Sequence, residues 1–195
     1  FVRLCTDDGS SFVRVACGRR HTVACDDRGR IWTVGDNKYG QLGHETNSAG
    51  LGRVDLKDYD CVDVTCGWSH TIVLARDSAS GSNVVFGWGR NDKGQLGTGT
   101  TNHQFASTRL FADIEAGIES ISCGSEFTIV VDSTNTVWGC GWGEHGNLGT
   151  GSTEDRLELT KLQGASVSKM PGYGTTRLAV EAGGAHVLAM RVALS

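Results

Sequence analysis

Cys66-Gly67-Trp68-Ser69-His70-Thr71, followed by Gly89-Arg90-Asn91-Asp92-Lys93-Gly94-Gln95-Leu96-Gly97, is one copy of a pattern that this chain writes three times. The first copy runs from Cys17-Gly18-Arg19-Arg20-His21-Thr22 to Gly40-Gln41-Leu42-Gly43, and the third from Cys123-Gly124-Ser125-Glu126-Phe127-Thr128 to Gly146-Asn147-Leu148-Gly149. A fourth begins at Gly183-Gly184-Ala185-His186 and stops. The leading glycines Gly18, Gly67, Gly124 and Gly183 recur every ~50–60 residues, a period of propeller blades or solenoid units, each of which must bury its apolar face against a neighbour.

Within the second copy, Cys61 to Cys66 alternates polar and apolar residues and predicts a strand. Gly67-Trp68-Ser69 then turns, His70 to Ala75 predicts a second strand, and Val84 to Trp88 a third. The glycine-rich loop Gly89 to Gly97 leads to a more variable outer segment. The first copy repeats this with Arg14 to Ala16, His21 to Cys25 and Ile31 to Val34, and the third with Ile118 to Cys123, Thr128 to Val131 and Val137 to Cys140. The unit is an antiparallel meander of three or four strands. Because consecutive strands reverse, the turn after strand one and the loop after strand three emerge on one face. The turn of the Asp26-Asp27-Arg28-Gly29 type emerges on the other.

Bulk composition agrees with many short strands: 28 glycines, a single proline and no extended helical periodicity in 195 residues. A net charge of −4 with no Lys/Arg cluster leaves no footprint for direct nucleic-acid binding or for an anionic membrane. No apolar run approaches the ~20 residues of a membrane-spanning helix. Seven cysteines without a Cys-x-x-Cys pair argue against a disulfide framework and for a reducing, intracellular compartment, cytoplasm or nucleus. Cys61 and Cys66 lie an odd number of residues apart, so on a regular strand they point to opposite faces and share no metal. Cys17, Cys66 and Cys123 precede the same glycine in each copy and read as buried structural thiols.

Small repeated sheets stack radially into a propeller of ~4–8 blades around a central channel. The expected architecture is all-β, a partial propeller of about three full blades plus closing strands. The repeats fall at about 12–60, 61–116 and 117–178, with closing strands at 179–195, and the whole of 1–195 reads as a single propeller segment. Blades are expected upstream, Phe1 to Cys5 ending the preceding one and Gly183 to Leu194 closing the ring.

Cys-Gly-x-x-His-Thr, a Val-Trp-x-x-Gly strand and Gly-x-Asn-x-x-Gly-Gln-Leu-Gly together resemble the repeat of the regulator of chromosome condensation family; Gly35 to Gly43 and Gly89 to Gly97 carry the signature. The resemblance covers nearly the whole chain and implies a seven-bladed propeller of four-stranded blades. It leaves function open, since members include exchange factors for small GTPases, photoreceptors, ubiquitin-ligase modules, channel and cilium regulators, and mitochondrial and tRNA-modification accessory proteins. Two positions depart from the pattern. Phe127 stands where the other copies have His, and Glu144-His145 occupies the Asn-x-x stretch. The Trp142 to Asn147 segment is similar both to the fungal alpha-tubulin suppressor proteins, linked to tRNA wobble-uridine modification and diphthamide synthesis through a small metal-binding partner, and to the secretion-regulating exchange factor. Gly67-Trp68-Ser69-His70-Thr71 also resembles the tryptophan motif of plant ultraviolet-B photoreceptors, but it occurs once here, whereas they repeat it in neighbouring blades.

Several motifs have a plainer reading than their outlines suggest. Gly141-Trp142-Gly143-Glu144-His145-Gly146 matches the dinucleotide fingerprint, which works only between a strand and a helix; here another loop follows, so tight turns explain the glycines. His21, His70 and His186 occupy equivalent places in different blades, spread around a ring and unable to converge on one metal ion, so each reads as a core group bonded to the adjacent Thr of its own blade. Trp32, Trp88, Trp138 and Trp142 read as packing between blades. Glu144 and His145 lack a nucleophile, an orienting group and a pocket, so no catalytic residue, cofactor or metal is assigned.

The repeats supply an internal comparison: shared residues satisfy the blade, and residues that differ at matched turns are free to specify a partner. Arg19, Arg20, Tyr39, Trp68, Arg90, Asp92, Glu126, Glu144 and His145 are the partner-binding candidates, all on one face, with Trp68 an aromatic anchor where the fold requires none. The leading reading is a non-enzymatic scaffold or regulatory subunit that binds a protein. The alternatives are an exchange factor for a small GTPase, and the tRNA-modification accessory role with a small metalloprotein partner. In the founding family member an inserted hairpin performs exchange and a basic tail holds chromatin; this chain displays neither.

Overall fold

The computed structural model describes residues 8–45, 50–162 and 176–193, and every helix or strand assigned among them is a strand. The first sheet comprises β1 (Phe12–Cys17), β2 (His21–Asp26), β3 (Ile31–Gly35) and β4 (Gly52–Val54). The second contains β5 (Tyr59–Cys66), β6 (His70–Asp77), β7 (Asn83–Gly89) and β8 (Gln104–Leu110), and the third β9 (Ile118–Cys123), β10 (Phe127–Asp132), β11 (Val137–Gly141) and β12 (Arg156–Lys161). β13 (Thr176–Ala182) and β14 (Val187–Ala193) pair as a two-stranded sheet that turns at Gly183-Gly184. Each of the first three sheets is an antiparallel meander in strand order one to four. No helix among the described residues is long and apolar enough to cross a membrane. The blade expected at Phe1 to Cys5 lies outside the described residues.

The second strands of the second and third sheets, β6 and β10, read as continuous apolar runs because both of their faces are covered. On β6, Val73 and Ala75 pack toward the first sheet while Ile72 and Leu74 pack toward the third, so six consecutive residues from His70 are buried. Three apolar clusters result, one in each gap between successive sheets. Each fully buried Ile, Leu or Phe contributes about 1.5–3 kcal/mol. Close approaches between sheets run through the first strands, β1 beside β5, β5 beside β9 and β9 beside β13, so these line the hub and the fourth strands form the rim.

The two outermost faces are open. Val15 on β1 is 66% exposed, while the matched Val64, Ile121 and Val180 are 7%, 8% and 6% exposed beneath the sheet that precedes them. Leu188 on β14 is 56% exposed, while the matched Val23, Ile72 and Ile129 are at 0% beneath the sheet that follows. The described residues therefore form a partial propeller whose internal gaps are sealed and whose end faces are not.

Two thiol expectations need correction. Cys61 and Cys66 do not face opposite ways: the β5–β6 register slips between Cys61 and Asp63, and this bulge turns both toward the cluster between the first and second sheets. Cys17 is exposed, unlike the buried Cys123, because it stands on the uncovered first sheet.

Candidate functional site

At the end of each third strand the chain crosses directly over the turn that follows the first strand. Gly35, Gly89 and Gly141 have φ of 122°, 104° and 106°, and a Cβ at any of them would strike the carbonyl oxygen of Arg20, Ser69 or Glu126. The next amide then donates to that same carbonyl: Asp36 N to Arg20 O, Arg90 N to Ser69 O and Trp142 N to Glu126 O, each at 2.8 Å. Turn and loop are thereby locked together on one face, as strand reversal predicts. The turns also join across sheets, Arg19 N donating to Trp68 O at 3.1 Å, Trp68 N to Ser125 O at 2.8 Å and Ser125 N to Gly184 O at 3.1 Å. The face is a continuous, hydrogen-bonded platform.

The residues shared between copies lie beneath that platform. Asn37 Oδ1 accepts from Leu42 N at 2.9 Å, and Asn91 Oδ1 from Leu96 N at 2.8 Å. Gln41 Oε1 and Gln95 Oε1 accept from Tyr39 N and Lys93 N, both at 2.8 Å. Leu42, Leu96 and Leu148 are fully buried. In the third copy Gly143 replaces the asparagine, and Asn147 Nδ2 donates to Trp142 O at 2.8 Å instead.

The histidines bond differently from the sequence expectation. His21 Nε2 meets Thr71 Oγ1 at 3.0 Å and His70 Nε2 meets Thr128 Oγ1 at 3.2 Å, in each case the threonine of the next sheet, not of its own. The ring lies over its own turn glycine, where a Cβ on Gly18 or Gly67 would fall within it, and so reaches across the gap. Thr71 Oγ1 donates to Gln41 O at 3.0 Å and Thr128 Oγ1 to Gln95 O at 2.7 Å. Each hydroxyl has one proton, so the histidine Nε2 must be the donor and Nδ1 carries the lone pair, in accord with both Nδ1 atoms lacking a partner. Burial pushes the His21 pKa down to about 4, against the nearby Asp36 charge, and that of His70 to about 3.

Tryptophans divide by position. Trp88 is fully buried between sheets and donates to Gln41 O at 2.9 Å. Trp32 and Trp138 donate within their own sheets, to Asp26 and Asp132 at 2.8 Å, and Trp138 also packs against the second cluster. Trp142 stays on the loop face, its indole N–H 3.0 Å from Glu144 and its ring centroid 4.7 Å from that of His145. Among the described residues, Gly141 to Gly146 runs from β11 into turns and then β12, not into the helix that the dinucleotide fingerprint requires.

Of the nine partner candidates, Arg19, Arg20, Tyr39, Trp68 and Arg90 line one cleft of about 370 Å³ over the boundary between the first and second sheets. Trp68 is 46% exposed and carries the Arg19 guanidinium 5.3 Å from its ring centroid. Tyr39 holds the Lys38 ammonium at 5.1 Å and the Arg90 guanidinium at 5.3 Å, and its edge meets His103 at 5.2 Å. Asp92 and Glu126 bind Arg90 at 2.6 and 2.5 Å over the next boundary. Burial opposes charge on Arg90 and Asp92 alike, yet their pairing prevails, holding Arg90 above and Asp92 below the ordinary range. Glu144 and His145 stand apart, exposed over the third sheet. Asp36, Lys38 and Ser69 also line the cleft and were not among the candidates; their matched positions on either side of named residues were the available signal.

The regulator of chromosome condensation (RCC1) repeat matches residues 28–74 and 82–131, and a second description of that repeat matches 12–41, 61–95 and 118–147. The chain belongs to the RCC1 repeat family. Over 172 residues, 84% of this chain, it is 32% identical to the Ultraviolet-B receptor UVR8 of Arabidopsis thaliana, and over 155 residues, 77% of the chain, 33% identical to the probable E3 ubiquitin-protein ligase HERC4 of Homo sapiens. It spans 38% of the first protein's length and 14% of the second's. Among solved structures, human WBSCR16 superimposes with a TM-score of 0.74 at 25% identity, covering 94% of this chain and 46% of that one. Prp20p from Saccharomyces cerevisiae, described with its binding to Gsp1p and histones, superimposes at 0.72 with 21% identity, covering 97% and 44%. In this RCC1-repeat chain, then, the signature residues are those that lock turn to loop and sheet to sheet.

Proposed function

We propose that this chain is a non-enzymatic propeller scaffold that binds a protein partner through its loop face. The observation that carries the reading is the segregation at matched positions. Asn37, Asn91, Gln41, Gln95, His21 and His70 are held inside the blades, whereas Arg19, Trp68, Ser125 and Gly184 share one turn position and differ in every copy. A half-exposed tryptophan on a rigid platform loses little conformational freedom on binding and offers the side chain most often found at interface hot spots.

A photo-crosslinker placed at position 68 of the full-length protein, with another at Ala79 on the opposite face, tests it in native extract. Capture of a defined partner at 68 and not at 79 is the expected result; equal capture on both faces, or on neither, overturns it. A nucleotide-release assay on the captured protein then tells a passive scaffold from an exchange factor for a small GTPase. Recovery of a small metalloprotein would identify the tRNA-modification accessory role instead.

A further inference from the structure

The loop face answers its cations differently at successive sheet boundaries. Over the second and third sheets, Arg90 is closed by Asp92 and by Glu126 from the next turn, and Lys93 is closed by Asp155 at 3.2 Å. Over the first and second sheets, the position matching Glu126 is Ser69, and Arg19, Arg20 and Lys38 have no ion pair among the described residues. The one carboxylate there, Asp36, is occupied by its own loop, accepting from Gln41 Nε2 at 3.3 Å and from the Lys38 amide at 3.4 Å.

Two of these cations are held in place by aromatic faces, Arg19 over Trp68 and Lys38 over Tyr39. A guanidinium stacked on an indole keeps its N–H donors at its edge, directed away from the ring and fit for bidentate pairing with a carboxylate. The fold's own solution at the neighbouring boundary is a carboxylate supplied from an adjacent turn. The cleft between Arg19-Arg20 and Lys38-Tyr39 presents the same demand unanswered.

We propose that this cleft receives an acidic segment of the protein partner, its Asp or Glu carboxylates pairing with Arg19, Arg20 and Lys38 and its neighbouring apolar atoms lying on Trp68. This rests on the loop-face reading above and names the chemistry of what that face takes. Opposite charge in such a cleft speeds encounter and fixes register as well as adding affinity.

The test is fluorescence anisotropy of fluorescein-labelled octaglutamate titrated with the full chain at low and at near-physiological salt. Octaglutamate is expected to bind, with affinity falling as salt rises and falling about tenfold or more in Arg19→Glu/Arg20→Glu. Trp68→Ala should weaken binding at both salt concentrations, and Arg53→Glu on the rim should leave it unchanged. Both arginines are exposed, so thermal melts of the charge-reversed chain should match those of the parent. Equal binding by octaglutamine, an unaltered affinity in the double charge reversal, or displacement of the peptide by inorganic phosphate overturns the proposal. A partner captured at position 68 together with a silent octaglutamate titration removes the acidic occupant and leaves the loop-face reading standing.

Discussion

Two of the three junctions between consecutive described sheets close with a histidine donating to the next sheet's threonine, and the third closes with Phe127 in an apolar cluster against which Val187 packs. The rings occupy the same place, each lying where the Cβ of its turn glycine would otherwise be. When the donor is lost the acceptor is lost with it: Phe127 faces a sheet that carries Val187 where the others carry Thr71 and Thr128. The slot therefore demands a flat ring above the glycine, and it tolerates either a fully bonded polar pair or a fully apolar one. A mixed pair would bury a donor or a hydroxyl without its partner, at a cost of about 1–3 kcal/mol.

Acid should separate the two kinds of junction most strongly. His21 and His70 are neutral in the fold, with pKa about 4 and about 3, whereas an unfolded histidine titrates near 6.5. Below pH 6.5 the unfolded state gains protons that the folded state refuses, so stability falls with pH by about 1.4 kcal/mol per unit per histidine until the folded values are reached. Denaturant melts between pH 6.5 and 4.5 should lose about 4–5 kcal/mol from the pair, and a chain carrying His21→Phe, Thr71→Val, His70→Phe and Thr128→Val should be flatter over that window. An unchanged pH slope would show that the rings are not neutral inside the fold.

Removing the apolar ring comes next in size. Phe127→Ala empties a fully buried site and should cost about 3–5 kcal/mol in denaturant melts at neutral pH. Thr128→Val strands the His70 donor and should cost about 1–3 kcal/mol, while adding His70→Phe rebuilds the third junction's chemistry and should recover part of that loss. A double-mutant cycle measures the coupling, and simple additivity would deny that the two positions form one unit. The smallest effect is expected outside the slots. Trp68→Ser, which copies the turn residue of the third sheet, should change stability by less than about 0.5 kcal/mol in the same melts.

Much of this architecture can be read along the chain because strands, turns and glycines answer to local rules. Alternation in Cys61 to Cys66, the apolar run after His70 and the Gly-x-Asn loops place the strands within a residue or two of β5, β6 and β7. Trp68 could be singled out as a surface residue because its matched neighbours are Arg19, Ser125 and Gly184. The partner of each histidine could not, since a threonine adjacent in sequence and one in the next sheet look alike until the sheets are stacked. The common orientation of Cys61 and Cys66 was hidden for a similar reason, because a one-residue bulge reverses the alternation without any mark in the sequence.

By itself, then, the order of residues determined that this protein is built of repeated antiparallel meanders whose shared glycines, asparagines and aromatics serve the fold and whose turn residues after the first strand differ from copy to copy. Local backbone preference and two-residue periodicity suffice for that. Which threonine completes a histidine, that Glu126 joins in closing Arg90 and that Arg19, Arg20 and Lys38 have no ion pair among the described residues were decided only by the stacking of one sheet on the next. Those interactions join residues about 30–60 positions apart and depend on the small distance between neighbouring turns, a quantity that sequence separation does not encode.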